Sequence, residues 1–184
     1  MKYIGIVIMT MFFLSVNAQE SETSKLDKKE IREQRKAEQR KVQAEKFDEI
    51  TALVQNKSFA LEADLLQSRY ATFNVIQDNN FIKVEGDEII IQTANFNRIG
   101  WNGLGGITVR GKIIDYDVSE NKKRMNVSIT ASTFELGNVN INLSLGKNGN
   151  ATANLTGNFG LRTTFIGDIA ALNRLDQFQG MTRY

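Results

Sequence analysis

Hydrophobic and polar residues alternate with a period of two over much of the second half of the chain. Met125, Val127, Ile129 and Ala131 are separated by Asn126, Ser128 and Thr130. Val139, Ile141, Leu143 and Leu145 are separated by Asn140, Asn142 and Ser144, and Ala151, Ala153 and Leu155 by Thr152 and Asn154. Successive side chains of a strand point to opposite faces, so each run predicts a strand with one buried face. Upstream, Phe59, Leu61, Ala63 and Leu65 alternate with Ala60, Glu62 and Asp64 and predict a first strand, with a second over residues 70–76. Residues 81–84 and 88–93 predict a hairpin turning at Glu85-Gly86-Asp87. Residues 107–118 predict one long strand with Gly111 marking a bulge or bend, and residues 162–169 predict the last strand. Asn148-Gly149 is the strongest hairpin signal, because Asn-Gly favours the positive φ of tight turns. The links between runs are too short to hold crossover helices, so the strands are predicted to be antiparallel.

A different pattern precedes the strands. Residues 25–46 are mostly Lys, Arg, Glu, Gln and Ala, all good helix formers, with apolar residues too sparse for a continuous stripe. Pairs such as Lys29 and Glu33 place opposite charges on adjacent turns, each worth a few tenths of a kcal/mol. The segment carries nine basic and five acidic residues, a local excess of +4, which reads as a solvated helical linker. Phe47, Ile50 and Val54 then fall on one helical face and predict docking on a core, with Asn56 ending the helix. A short helix is predicted over residues 170–178. The resulting fold class is α+β, mostly β: an N-terminal helix packed on a curved antiparallel sheet of about seven to nine strands that can close into a barrel.

The first residues change the picture of where this domain resides. Lys2 is followed by an apolar run over residues 4–14 and then by small residues, Val16 and Ala18. The run is shorter than the roughly 20 residues that span a bilayer, so it predicts a cleaved secretory signal over residues 1–18. The expected organisation is then a charged helical linker at 19–46, a single β-rich domain at 47–178 and a tail at 179–184. The expected location is the periplasm or the extracellular space, with no transmembrane segment after cleavage. With 0 cysteines the fold must hold without disulfides. A net charge of +2 implies no bulk attraction to nucleic acid. Transmembrane barrel strands are longer than most of these runs and carry aromatic girdles, whereas the 11 phenylalanines here are scattered.

Chemistry is constrained more by what the chain lacks. Histidine and cysteine both number 0, which removes the commonest general base, the usual zinc ligands and the thiol nucleophile. No G-x-S-x-G occurs, no metal site or cofactor is expected, and no catalytic residue is assigned. Asp115 and Asp117 flank Tyr116 and are expected on one face of a strand, where paired carboxylates suit glycoside chemistry or calcium. A solvated strand face accounts for them more simply. The glycine-rich stretch 100–106 leads into a β-branched run, not into the helix that a phosphate loop requires. Trp101, set among those glycines, either plugs one end of the fold or stacks on a ligand. The outward residues of the alternating runs form an uncharged amide and hydroxyl face suited to carbohydrate, to another protein edge or simply to water.

Several stretches resemble a known family: N-K-S-F-A-L-E-A-D from Asn56, V-E-G-D from Val84, G-L-G-G-I from Gly103, D-Y-D-V from Asp115, N-G-N-A-T-A from Asn148, and the closing F-I-G-D-I. In order and spacing they resemble the domain of unknown function 4251, small exported proteins typical of Bacteroidetes, over residues 46–169. Where that family tends to carry a proline and an aromatic residue, this chain has Thr93-Ala94-Asn95-Phe96. The resemblance implies a fold and an address, and no catalytic residues. The function expected is non-catalytic binding in the periplasm or envelope, of an unknown small molecule or an envelope protein, with Trp101, Asp115 and Asp117 as candidate ligand contacts. The alternatives are a carboxylate-based enzyme acting on envelope carbohydrate and a structural or protein-interaction module. A closed apolar pocket near Trp101 would favour a ligand carrier; a filled interior would favour a protein partner.

Overall fold

The structure is a computed structural model that describes residues 4–94, 105–121, 124–160 and 162–174, with side chains described from residue 28 onward except those of Phe159 and Arg174. Trp101 therefore lies outside the described residues, as does most of the helix predicted after residue 170, of which a 3-10 turn at Leu172–Arg174 is seen.

One helix, α1 (Ile4–Gln55), leads into nine strands. Residues up to Val42 form one compact unit, and Gln43 onward belongs with the strands. Residues 28–42 are exposed throughout, as their charge requires. In the second unit Phe47, Ile50 and Val54 are buried in the same core as the strands. Burying each such side chain stabilises by about 1.5–3 kcal/mol, enough to hold these turns against the barrel.

The strands are β1 (Ser58–Ser68), β2 (Thr72–Asn74), β3 (Phe81–Glu85), β4 (Glu88–Gln92), β5 (Thr108–Glu120), β6 (Arg124–Thr133), β7 (Gly137–Gly146), β8 (Asn150–Gly157) and β9 (Arg162–Ala171). Every pairing is antiparallel, each strand from β3 to β8 pairs with the next, and β1 pairs with both β3 and β9. Eight strands thus close into a barrel. The ninth, β2, adds to the upper half of β1 beyond the reach of β3. The aliphatic residues of β6, β7 and β8 all point inward and are buried, while their Asn, Ser and Thr partners face out. A transmembrane barrel has the reverse arrangement, apolar outside and polar within.

Strict alternation breaks at two places, one in β5 and one in β1. The bulge expected at Gly111 lies instead at Ile114: Gly111 pairs regularly with Ile89 and Thr133, and the register shifts between Ile113 and Asp115. The extra residue changes which side the strand presents, so Tyr116 and Val118 turn inward while Asp115 and Asp117 stay out. In β1 the register shifts between Ala63 and Leu65, leaving Asp64 as the extra residue. Leu66, not Leu65, is therefore the next buried side chain. The carbonyl of Asp64 accepts from the Val75 N–H (2.9 Å), which ties the segment after β2 to the bulge.

The β7–β8 turn behaves as the sequence suggests, with one difference. The Gly149 N–H donates to the Gly146 carbonyl (3.0 Å) and Gly149 has φ +92°, whereas Asn148 keeps a negative φ. Only the glycine supplies the left-handed conformation, as in three-residue hairpin loops.

Candidate functional site

Among the described residues, large side chains fill the barrel interior. Phe59, Leu61, Ile89, Met125, Ile129, Ile141 and Phe165 are each at most 1% exposed. One end of the barrel is closed by the last turns of α1. There the Tyr116 hydroxyl donates to the Val54 carbonyl (2.7 Å), and the Lys147 ammonium lies 5.9 Å from the Phe47 ring centre. Burial pushes the Tyr116 phenol up from its ordinary value, because ionising it would strand a charge beneath the helix end.

The opposite end is different. Beside the upper half of β1, between β2 and the segment after β4, lies a cleft of about 790 Å³. Its described wall includes Leu66, Phe73, Val75, Ile76 and Ala94, with hydroxyls from Ser68, Thr72 and Thr163 at intervals. Phe73 and Ile76 are 46% and 52% exposed, so a substantial apolar area is open to whatever enters. Size and character match small-molecule sites, which are mostly apolar with a few placed polar groups. The β1 bulge creates this wall: without the extra Asp64, Leu66 and Ser68 would face the outside of the barrel.

A buried polar network holds the cleft in shape. Asn80, fully buried, donates through Nδ2 to the Ile76 carbonyl (2.9 Å) and accepts at Oδ1 from the Ala94 N–H (2.7 Å). It thus fixes two cleft residues from separate segments. Gln92 Nε2 donates to the Asn79 carbonyl (3.2 Å), and the Thr108 hydroxyl donates to Gln92 Oε1 (2.9 Å). Buried amides of this kind are tolerated only when satisfied, and here they lock the walls. Sequence reasoning missed both Asn80 and Gln92, since an isolated amide in a strand or turn gives no signal of burial.

The predicted site residues fall elsewhere. Asp115 and Asp117 share the outer face of β5, as expected, both exposed and opposite Thr130 and Ser128. Neither carboxylate makes a hydrogen bond or ion pair among the described residues, and the described cleft wall includes neither residue. Among the described residues no group of three potential metal ligands occurs. The amide and hydroxyl face is partly engaged with itself: Thr130 donates to Asn140 Oδ1 (3.1 Å) and Thr164 to Asn154 Oδ1 (2.8 Å).

Comparison with known proteins agrees with the fold. No curated protein matches. A crystal structure of a DUF4251 family protein from Bacteroides eggerthii is 30% identical, covering 71% of this chain and 91% of that one with a TM-score of 0.60. The model of the domain of unknown function DUF4251 matches residues 41–169, from the docked turns of α1 to the last strand, and the chain belongs to that family.

Proposed function

We propose that this protein is a non-catalytic binding protein of the periplasm or cell envelope, and that the cleft at the open mouth of the barrel takes a small molecule with an apolar body. The observation that carries this reading is the cleft of about 790 Å³ with Phe73 and Ile76 half-exposed in its wall. Such apolar surface is costly to leave in water, at roughly 25 cal/mol per Å². The rigid amide network beneath it supports a preformed site. The leader-like residues 1–18 support export. Asp115 and Asp117 lend no support to carboxylate catalysis, standing exposed on the outer face of β5.

Native mass spectrometry of protein isolated from the envelope of its own cells tests this. The wild type is expected to carry a small-molecule adduct, and Phe73→Ser to carry less of it. A bare mass for the wild type, with a thermal midpoint unmoved by lipid extract of the same envelope, overturns the reading. The filled interior favours a second reading, a protein partner met at the Asn, Ser and Thr face. Under it, Asn142→Arg and Asn154→Arg, which pair across β7 and β8, would abolish co-purification of that partner and leave small-molecule binding unchanged.

A further inference from the structure

We propose that the molecule held in the cleft is an amphiphile with an anionic head, its apolar body against Phe73 and Leu66 and its carboxylate or phosphate on Arg69 and Arg162 across the rim. This rests on the cleft being the binding site. A second hollow of about 700 Å³ lies on the other face of the same β1–β9 rim, and the two share Ser68. Alternation along β1 explains the division of labour. Leu66 and Ser68 face the cleft, whereas Gln67 and Arg69 face the second hollow. On β9 the same parity sends Thr163 to one and Arg162 and Thr164 to the other.

The chemistry of the two hollows is opposite. The described lining of the second holds two arginines and the hydroxyls of Thr156 and Thr164, and it includes no carboxylate. Neither arginine has an ion-pair partner among the described residues, whereas Lys57 and Lys83 are both paired with acidic side chains. The Arg69 guanidinium lies 5.7 Å from the ring centre of the exposed Tyr70, within cation–π range. A guanidinium fork suits the bidentate geometry of carboxylate and phosphate. An apolar wall on one side of Ser68 and two unpaired guanidinium groups on the other together fit one ligand that is apolar at one end and anionic at the other.

Titration calorimetry below the micelle-forming concentration, with dodecanoate, dodecyl phosphate, a neutral dodecyl glucoside and inorganic phosphate, tests this. The expected result is that an anionic amphiphile binds about tenfold tighter than the glucoside, as one charge-assisted hydrogen-bonded contact predicts. Dodecanoate against dodecyl phosphate tells which anion is preferred. The double variant Arg69→Gln, Arg162→Gln should erase the preference and leave glucoside binding intact, while Phe73→Ser should weaken all three amphiphiles. Equal binding of charged and neutral amphiphiles, unaffected by the arginine changes, overturns the head-group assignment and leaves the cleft standing. Inorganic phosphate binding as tightly as dodecyl phosphate, indifferent to Phe73→Ser, overturns the single-ligand proposal in favour of a separate anion site. No binding of any amphiphile removes both this inference and the reading beneath it.

Discussion

Tyr116 stands between two exposed aspartates and faces the other way, because the bulge at Ile114 has turned its side of β5 inward. Its hydroxyl reaches the Val54 carbonyl, one of the groups that a helix leaves unsatisfied at its C-terminal end. The same carbonyl accepts from the Lys57 N–H (3.1 Å), and Lys57 is left-handed at φ +51°, an unusual conformation for a side chain this large. The Asp87 carboxylate 2.9 Å from its ammonium and the Tyr116 ring beneath it hold that residue in place. Replacing Tyr116 with Phe should cost about 1 kcal/mol, read as a lower midpoint in urea with an unchanged slope. The pH dependence has a definite sign. The folded state raises the phenol above its unfolded value near 10, so its contribution is complete below about pH 10 and is lost as pH climbs beyond. The wild type should therefore lose stability in that alkaline window more steeply than Tyr116→Phe.

At the scale of elements, the bulge in β1 has the largest consequences, and it depends on a residue of another strand. Gly167 sits opposite Ala63, and a Cβ there would overlap the Glu62 carbonyl oxygen and press on the Ala63 Cα. Backbone cannot yield as a flexible side chain can, so Gly167→Ala should destabilise by about 3 kcal/mol or more, measured by thermal or urea unfolding. A milder loss would mean that β1 and β9 separate locally to admit the methyl group. This gives the glycine of the F-I-G-D-I stretch a physical reason. The two bulges also mark how far the fold is legible in the sequence. The inward side chains of β1 run Phe59, Leu61, Ala63 and then Leu66, and those of β5 pass from Ile113 to Tyr116. In each case a spacing of three interrupts a period of two, a signal present in the sequence. It is obscured in β1 because Leu65 and Leu66 are both apolar, and in β5 because Gly111 is the more conspicuous candidate for a bulge. The cleft wall is illegible for the same reason, since the parity of Leu66 and Ser68 depends on Asp64 being the extra residue. The amides at Asn80 and Gln92 leave no trace in the pattern, their burial being set by segments that meet only in space.

For the molecule as a whole, local alternation predicts the strands and their antiparallel order, because neighbours in sequence are neighbours in the sheet from β3 to β9. Closure is open at the level of sequence, since it rests on β1 meeting β9 across the length of the domain. That pairing covers nine positions from Phe59↔Ala171 to Ser68↔Thr163. A chain ended at residue 160 removes β9 and bares the edges of both β1 and β8, two long rows of unpaired backbone groups. Such a chain is expected to unfold without a cooperative transition by circular dichroism and to associate at micromolar concentration. A sharp monomeric transition would mean that β1 and β8 can pair directly.

The latch of this ring is therefore its last piece to be synthesised. Until Arg162 and the residues after it are available, β1 has its seam side empty however well the intervening hairpins have formed. Pairing that distant is slow to find and comes late. A nascent chain accordingly remains an unlocked sheet, and becomes resistant to pulling and proteolysis in one step when the final strand arrives.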